Sequence, residues 1–105
     1  MVEITILSPQ GRLDAAGAGP LEAELKGYIS DGKVHLLVDL ANTRYISSNG
    51  LRALLVEQRQ AKKHGGSLKL CCLSPRLVEI FEMSGFDRVF EIFASREEAE
   101  KSFQA

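Results

Sequence analysis

The sequence predicts a single α/β domain built on a mixed sheet of four to five strands with about four helices. Two observations carry this: strand-like and helix-like segments alternate along the whole chain, and the connections between them are short. A third sets the scale. The 105 residues are 45% hydrophobic, enough for one core and too few for two, so one domain over residues 1–105 is expected.

Residues 2–7 (VEITIL) alternate apolar and polar side chains, the period of a half-buried strand. Pro9 and Gly11 then turn the chain into a short extended segment near residues 11–14, expected as an antiparallel edge that makes the sheet mixed. From about Gly19 to Ser30, Leu21, Leu25, Tyr28 and Ile29 recur at helical spacing; Pro20 suits a first turn and Asp31-Gly32 a stop. Residues 34–40 (VHLLVDL) read as a central strand, followed by a loop through Arg44, Tyr45 and Ile46. A second helix enters at Ser47-Ser48-Asn49-Gly50, carries Leu51, Leu54, Leu55, Gln58 and Ala61, and closes at Gly65-Gly66. Residues 68–73 (LKLCCL) form the next buried strand. Ser74-Pro75 opens a third helix that ends at Gly85. Val89, Phe90, Ile92 and Phe93 make a last short strand, and Ser95 with Glu98 is a capping box for a C-terminal helix.

Thirteen basic and fourteen acidic residues leave a formal charge of -1, which argues against nucleic-acid or membrane binding by bulk charge. Charge is nevertheless segregated: residues 41–64 hold five Lys/Arg and one acid, whereas 79–105 hold seven acids and three bases. No apolar run approaches the roughly 20 residues that span a bilayer. The chain opens directly into a strand, so neither leader nor anchor is expected. Cys71 and Cys72 are adjacent and cannot staple distant segments, which fits a reducing cytoplasm. They are expected to point to opposite faces of a strand, with at least one an inert core thiol. With only His35 and His64 besides, the sequence has no metal-ligand spacing.

No catalytic constellation emerges. The glycines match neither phosphate-loop pattern, and Asp14 and Asp39 lack the acidic partners of a phosphoaspartate site. Ser47 and Ser48 have no base nearby in sequence. What remains is the Ser47–Gly50 turn. Either hydroxyl can cap the second helix while the other faces solvent. A phosphate here would meet the positive end of a helix dipole, with Arg44 and Arg52 near in sequence, and would add about -1.5 to -2 charge.

The elements Gly11-Arg12-Leu13-Asp14, Val38-Asp39-Leu40, Tyr45-Ile46-Ser47-Ser48-Asn49-Gly50-Leu51, Gly65-Gly66-Ser67-Leu68, Ser74-Pro75 and Met83-Ser84-Gly85-Phe86 run in order over almost the whole chain. Together they resemble a STAS domain of the bacterial anti-sigma-factor antagonist type. The resemblance implies a sheet with helices packed mainly on one face, and a non-catalytic partner-switching role. In that role the domain binds an anti-sigma factor that is also a serine kinase, and phosphorylation at the turn releases it. A PP2C-type phosphatase is the further partner this allows. The domain would need no cofactor and touch no nucleic acid. By register the phosphorylated serine falls on Ser48; Ser47 stands where the family has Asp and is the alternative acceptor, and Asn49 takes the second hydroxyl position. The implied contact residues are Asp14, Ser47, Ser48, Asn49, Gly50 and Arg52. Two other readings remain: a non-phosphorylated STAS subunit of a lipid-transport ATPase or sensory assembly, and an enzyme with a serine nucleophile.

Plainer roles stand beside these. Asp14 is either a partner-facing acid or the turn residue that begins the first helix. Asp39 is expected to hydrogen-bond loop backbone, and His35 to be structural. Arg59, Lys63, Glu97, Glu98 and Glu100 are expected on solvated faces, and Met83 and Phe86 in the core.

Overall fold

The computed structural model describes residues 2–104. Its elements are β1 (Thr5–Leu7), β2 (Gly11–Leu13), α1 (Ala15–Ser30), β3 (His35–Asp39), β4 (Thr43–Ile46), α2 (Ser48–Lys63), β5 (Ser67–Cys71), α3 (Pro75–Ser84), a 3-10 turn (Phe86–Arg88), β6 (Ile92–Phe93) and α4 (Arg96–Phe103). The α/β class and the four helices are as expected. Strands β1, β3, β5 and β6 form one sheet in the order β1-β3-β5-β6, every ladder parallel.

The segment at 11–14 departs from expectation. β2 pairs in parallel with β4, in a second two-stranded sheet, and the antiparallel edge does not form. The reason lies in the chain path. β1 and β3 are parallel neighbours, and both strands are interrupted after their last residue, at 8–10 and 40–42. Gly11 N–H then donates to Asn42 O (2.9 Å), and Thr43 Oγ1 donates to Pro9 O (2.8 Å), so the two chains stay side by side. This also turns the expected loop at Arg44-Tyr45-Ile46 into β4, whose partner is 33 residues away in register, Leu13 with Ile46.

The strands sort their side chains to two faces. Leu36, Val38, Leu68 and Leu70 face α1, α2 and α3, where Leu21, Leu25, Leu54, Leu77 and Phe81 complete the main core. Leu37 and Cys71 face α4, with Ala99 and Phe103, in a smaller cluster. Three helices therefore cover one face and a single short one the other. Burying these side chains supplies the main driving force, roughly 1.5–3 kcal/mol for each large one.

Helix ends follow capping chemistry. Ser74 caps α3 with Pro75 at its first position, and Gly85 ends it at φ 80°, a conformation that favours glycine. Ser95 Oγ accepts from Glu98 N–H (3.1 Å) while donating to the Glu98 carboxylate (3.1 Å). Glu97 and Glu100 instead pair with Lys101 and Arg96. α1 begins at Ala15, a turn earlier than Pro20 suggests, because Asp14 caps it and Ala18 extends the Leu21-Leu25-Ile29 stripe. Met83 lies on the side of α3 away from Phe81 and is 83% exposed, not in the core; Phe86 packs on Phe90, ring centroids 6.2 Å apart.

Candidate functional site

β2 and β4 each run straight into a helix, so their parallel pairing sets the starts of α1 and α2 side by side. Asp14 Oδ1 accepts from Ala16 N–H (3.1 Å) and Gly17 N–H (3.4 Å). Asp14 therefore caps α1, and its other oxygen lies 3.6 Å from Arg12 Nε on a side chain that stays part exposed. Ser47 caps α2, accepting from Gly50 N–H (3.5 Å), and its own N–H and Oγ both donate to Leu13 O (2.9 and 3.2 Å). The two caps are thus tied through one carbonyl.

Both helices also place glycine three residues after the cap. A Cβ on Gly17 would lie 2.9 Å from Arg12 O, and one on Gly50 would lie 2.6 Å from Leu13 O. Only glycine lets the first turns settle on the β2 backbone. Two positive helix ends consequently converge on one surface, each equivalent to about half a charge.

Ser48, Asn49 and Arg52 are exposed on this surface, whereas Gly50 is buried beneath it. Among the described residues the Ser48 hydroxyl has no hydrogen-bond partner within the chain, unlike that of Ser47. Arg52 follows Ser48 by one helical turn. Asn49 and Arg52 line, with Ala15, Ala18, Gly19 and Val56, a shallow depression of about 330 Å³ between α1 and α2. The six predicted residues therefore gather at one end of the molecule. Two neighbours went unforeseen: the Arg12 guanidinium stacks 4.4 Å above the Tyr45 ring. With residues 44–46 read as loop, nothing local linked Tyr45 to Arg12.

The division of labour between the serines is measurable. Ser47→Ala is expected to cost about 1 kcal/mol through loss of the α2 cap, and Ser48→Ala close to nothing. Urea denaturation of the two variants would distinguish them; equal stabilities would contradict the capping assignment.

The fold is thus a parallel α/β domain that presents an exposed serine hydroxyl at a helix start. The STAS domain model matches residues 2–99, and the chain belongs to that family. Its relatives place it among the anti-sigma factor antagonists. It is 41% identical over 95 residues to BtrV of Bordetella bronchiseptica, whose name carries the description anti-sigma factor antagonist, covering 90% of this chain and 82% of BtrV. It is 33% identical over 87 residues to the anti-sigma-B factor antagonist of Bacillus subtilis, covering 83% and 79%. In fold it is similar to the Bacillus cell fate determinant SpoIIAA, solved in its phosphorylated form. The TM-score is 0.73 at 21% identity, over 97% of this chain and 92% of the other. No helix among the described residues is long and apolar enough to cross a membrane.

Proposed function

We propose that this domain binds an anti-sigma factor that is also a serine kinase, through the surface at the starts of α1 and α2, and that phosphorylation of Ser48 releases it. The observation that carries this reading is the contrast between the serines. Ser47 Oγ is committed to Leu13 O and Gly50 N–H, whereas Ser48 Oγ is exposed and unengaged. A kinase can take Ser48 without dismantling the helix start.

The phosphate would be accommodated where it forms. Helix N-termini bind anions through free N–H groups and the dipole, and Arg52 stands one turn along. The fold need not change. The surface would change instead, gaining about -1.5 to -2 charge where Asp14, Asn49 and Arg52 meet the partner, and like charge across an interface costs several kcal/mol. The domain itself supplies no catalysis and no cofactor in this scheme; ATP and magnesium belong to the kinase. A PP2C-type phosphatase would restore the binding form, and the cytoplasm is the proposed location.

The test uses Ser48→Ala and Ser48→Asp against the recovered anti-sigma factor. Ser48→Ala should bind like the native domain, and Ser48→Asp at least tenfold more weakly, or about 1.4 kcal/mol. Incubation with the kinase and ATP should place phosphate on Ser48 and not Ser47 by mass mapping. Equal affinity of the two variants would sink the switch.

A further inference from the structure

On the opposite face of the sheet, the folded chain assembles a donor set that the sequence spacing does not reveal. Asp39 ends β3 and Cys71 ends β5, and the two are register partners across the parallel ladder. Cys72 follows with φ 65°, the one non-glycine residue with positive φ among those described. A regular strand would send the Cys71 and Cys72 side chains to opposite faces, as the sequence suggests. The left-handed turn at Cys72 overrides that alternation. Both sulfurs and a carboxylate oxygen of Asp39 lie within 4.8 Å of one another.

We propose that Asp39, Cys71 and Cys72 form a binding site for a soft divalent cation of the zinc and cadmium type. The donor set is the first argument. Two thiolates and one carboxylate suit tetrahedral zinc at about 2.3 Å for sulfur and 2.0–2.2 Å for oxygen, which puts donors roughly 3.5–3.8 Å apart. The donors, at most 4.8 Å apart, already stand within about 1.3 Å of that spacing. Hard cations, which demand more oxygens, are poorly served.

Rigidity is the second. Leu40 N–H donates to Cys71 O (3.0 Å), and Cys72 N–H to Phe93 O (3.0 Å), so three strands hold the backbone beneath the donors. Asp39 Oδ1 accepts from Ala41 N–H (2.9 Å), which orients the carboxylate as outer partners of metal ligands do. Backbone held in an unfavourable region is a feature that clusters at functional sites. The site also stands at the carboxyl ends of parallel strands, where α/β sheets receive ligands.

Access is the third. Cys71 is fully buried, but Cys72 is half-buried, so a cation can enter beside it and keep a solvent ligand in a fourth position. Arg96 Nη1 lies 3.9 Å from Asp39 Oδ2, yet its Nε is 3.4 Å from Glu100, so the guanidinium can stay with Glu100 when a cation takes the carboxylate. Arg96 thus competes for Asp39.

Titration of the reduced full-length chain with Zn²⁺ by calorimetry, and with Co²⁺ by absorption, tests the site. One equivalent should bind, with Co²⁺ giving thiolate charge-transfer and tetrahedral ligand-field bands. Cys72→Ser should weaken Zn²⁺ binding about a hundredfold and Asp39→Asn about tenfold. Arg96→Ala should tighten it severalfold. Cys72 is half-buried and Arg96 exposed, so both variants should keep the native circular dichroism spectrum. Absence of Co²⁺ charge transfer, or Zn²⁺ affinity unaltered by Cys72→Ser, would overturn the proposal.

Discussion

Replacing Gly50 by alanine should destabilise the domain and weaken partner binding together. The new Cβ would stand 2.6 Å from Leu13 O, 2.7 Å from Ile46 Cγ1 and 3.2 Å from Leu13 Cβ. None of these can yield cheaply. Leu13 O already accepts two hydrogen bonds from Ser47, and Leu13 and Ile46 are buried register partners. Relief must come from lifting the first turn of α2 away from β2, which carries Ser48, Asn49 and Arg52 with it. Overpacking of this kind costs typically 1–3 kcal/mol, and loss of the Ser47 cap adds about 1 more. Denaturant unfolding should register the sum, a midpoint fall well beyond that of Ser47→Ala. Affinity for the anti-sigma factor should fall in the same variant under conditions where it stays folded. A native-like midpoint would mean that the close approach of α2 to β2 is not required.

Neutralising Glu57 should make the domain more stable at neutral pH and remove part of its pH dependence. Glu57 lies on the buried side of α2, fully enclosed, with both carboxylate oxygens lacking a hydrogen-bond partner among the described residues. Burial raises its pKa above the ordinary 4.5, the negative charge of Glu22 on α1 adds to this, and Lys26 opposes it. The folded state therefore holds this proton more tightly than the unfolded chain does. The contribution of Glu57 to stability is greatest below about pH 4.5 and declines as pH rises through the interval up to the raised value, because there the unfolded chain gains by releasing the proton first. Glu57→Gln has nearly the same shape and cannot ionise. At pH 7 it should be more stable than the native protein, because the amide removes the ionisation that burial opposes. Near pH 4 the two should converge. Urea midpoints measured at both values check this; identical pH profiles would show that Lys26 fully compensates the charge.

Glu57 also illustrates where reading the sequence stops. Its position was available: Gly50, Leu54, Glu57 and Ala61 follow the three-four spacing of a buried stripe, and a lone acid on that stripe is a visible signal. Residue type argued the other way, since Glu is almost never buried without a partner. Tyr45 failed for a different reason. Thr43–Ile46 is a four-residue strand whose only partner among the described residues is β2, so no local pattern could distinguish it from loop. Cys72 failed for a third, because one left-handed residue cancels the alternation on which facing is judged.

By itself the sequence determined whatever depends on neighbours along the chain. The alternation of strands and helices, the Ser74-Pro75 and Ser95-Glu98 helix starts and the Gly85 stop are all local, because caps and periodicities act over four residues or fewer. Only the tertiary structure decided what depends on contact between distant segments. The parallel pairing of β2 with β4 brought Leu13 O to Ser47, and that bond is why one serine is bound and the other free. The same holds on the far face, where the ladder between β3 and β5 carries Asp39 to the cysteines. Hydrogen bonds across 31 to 34 residues leave no periodic trace in a sequence, since either partner alone has many ways to be satisfied.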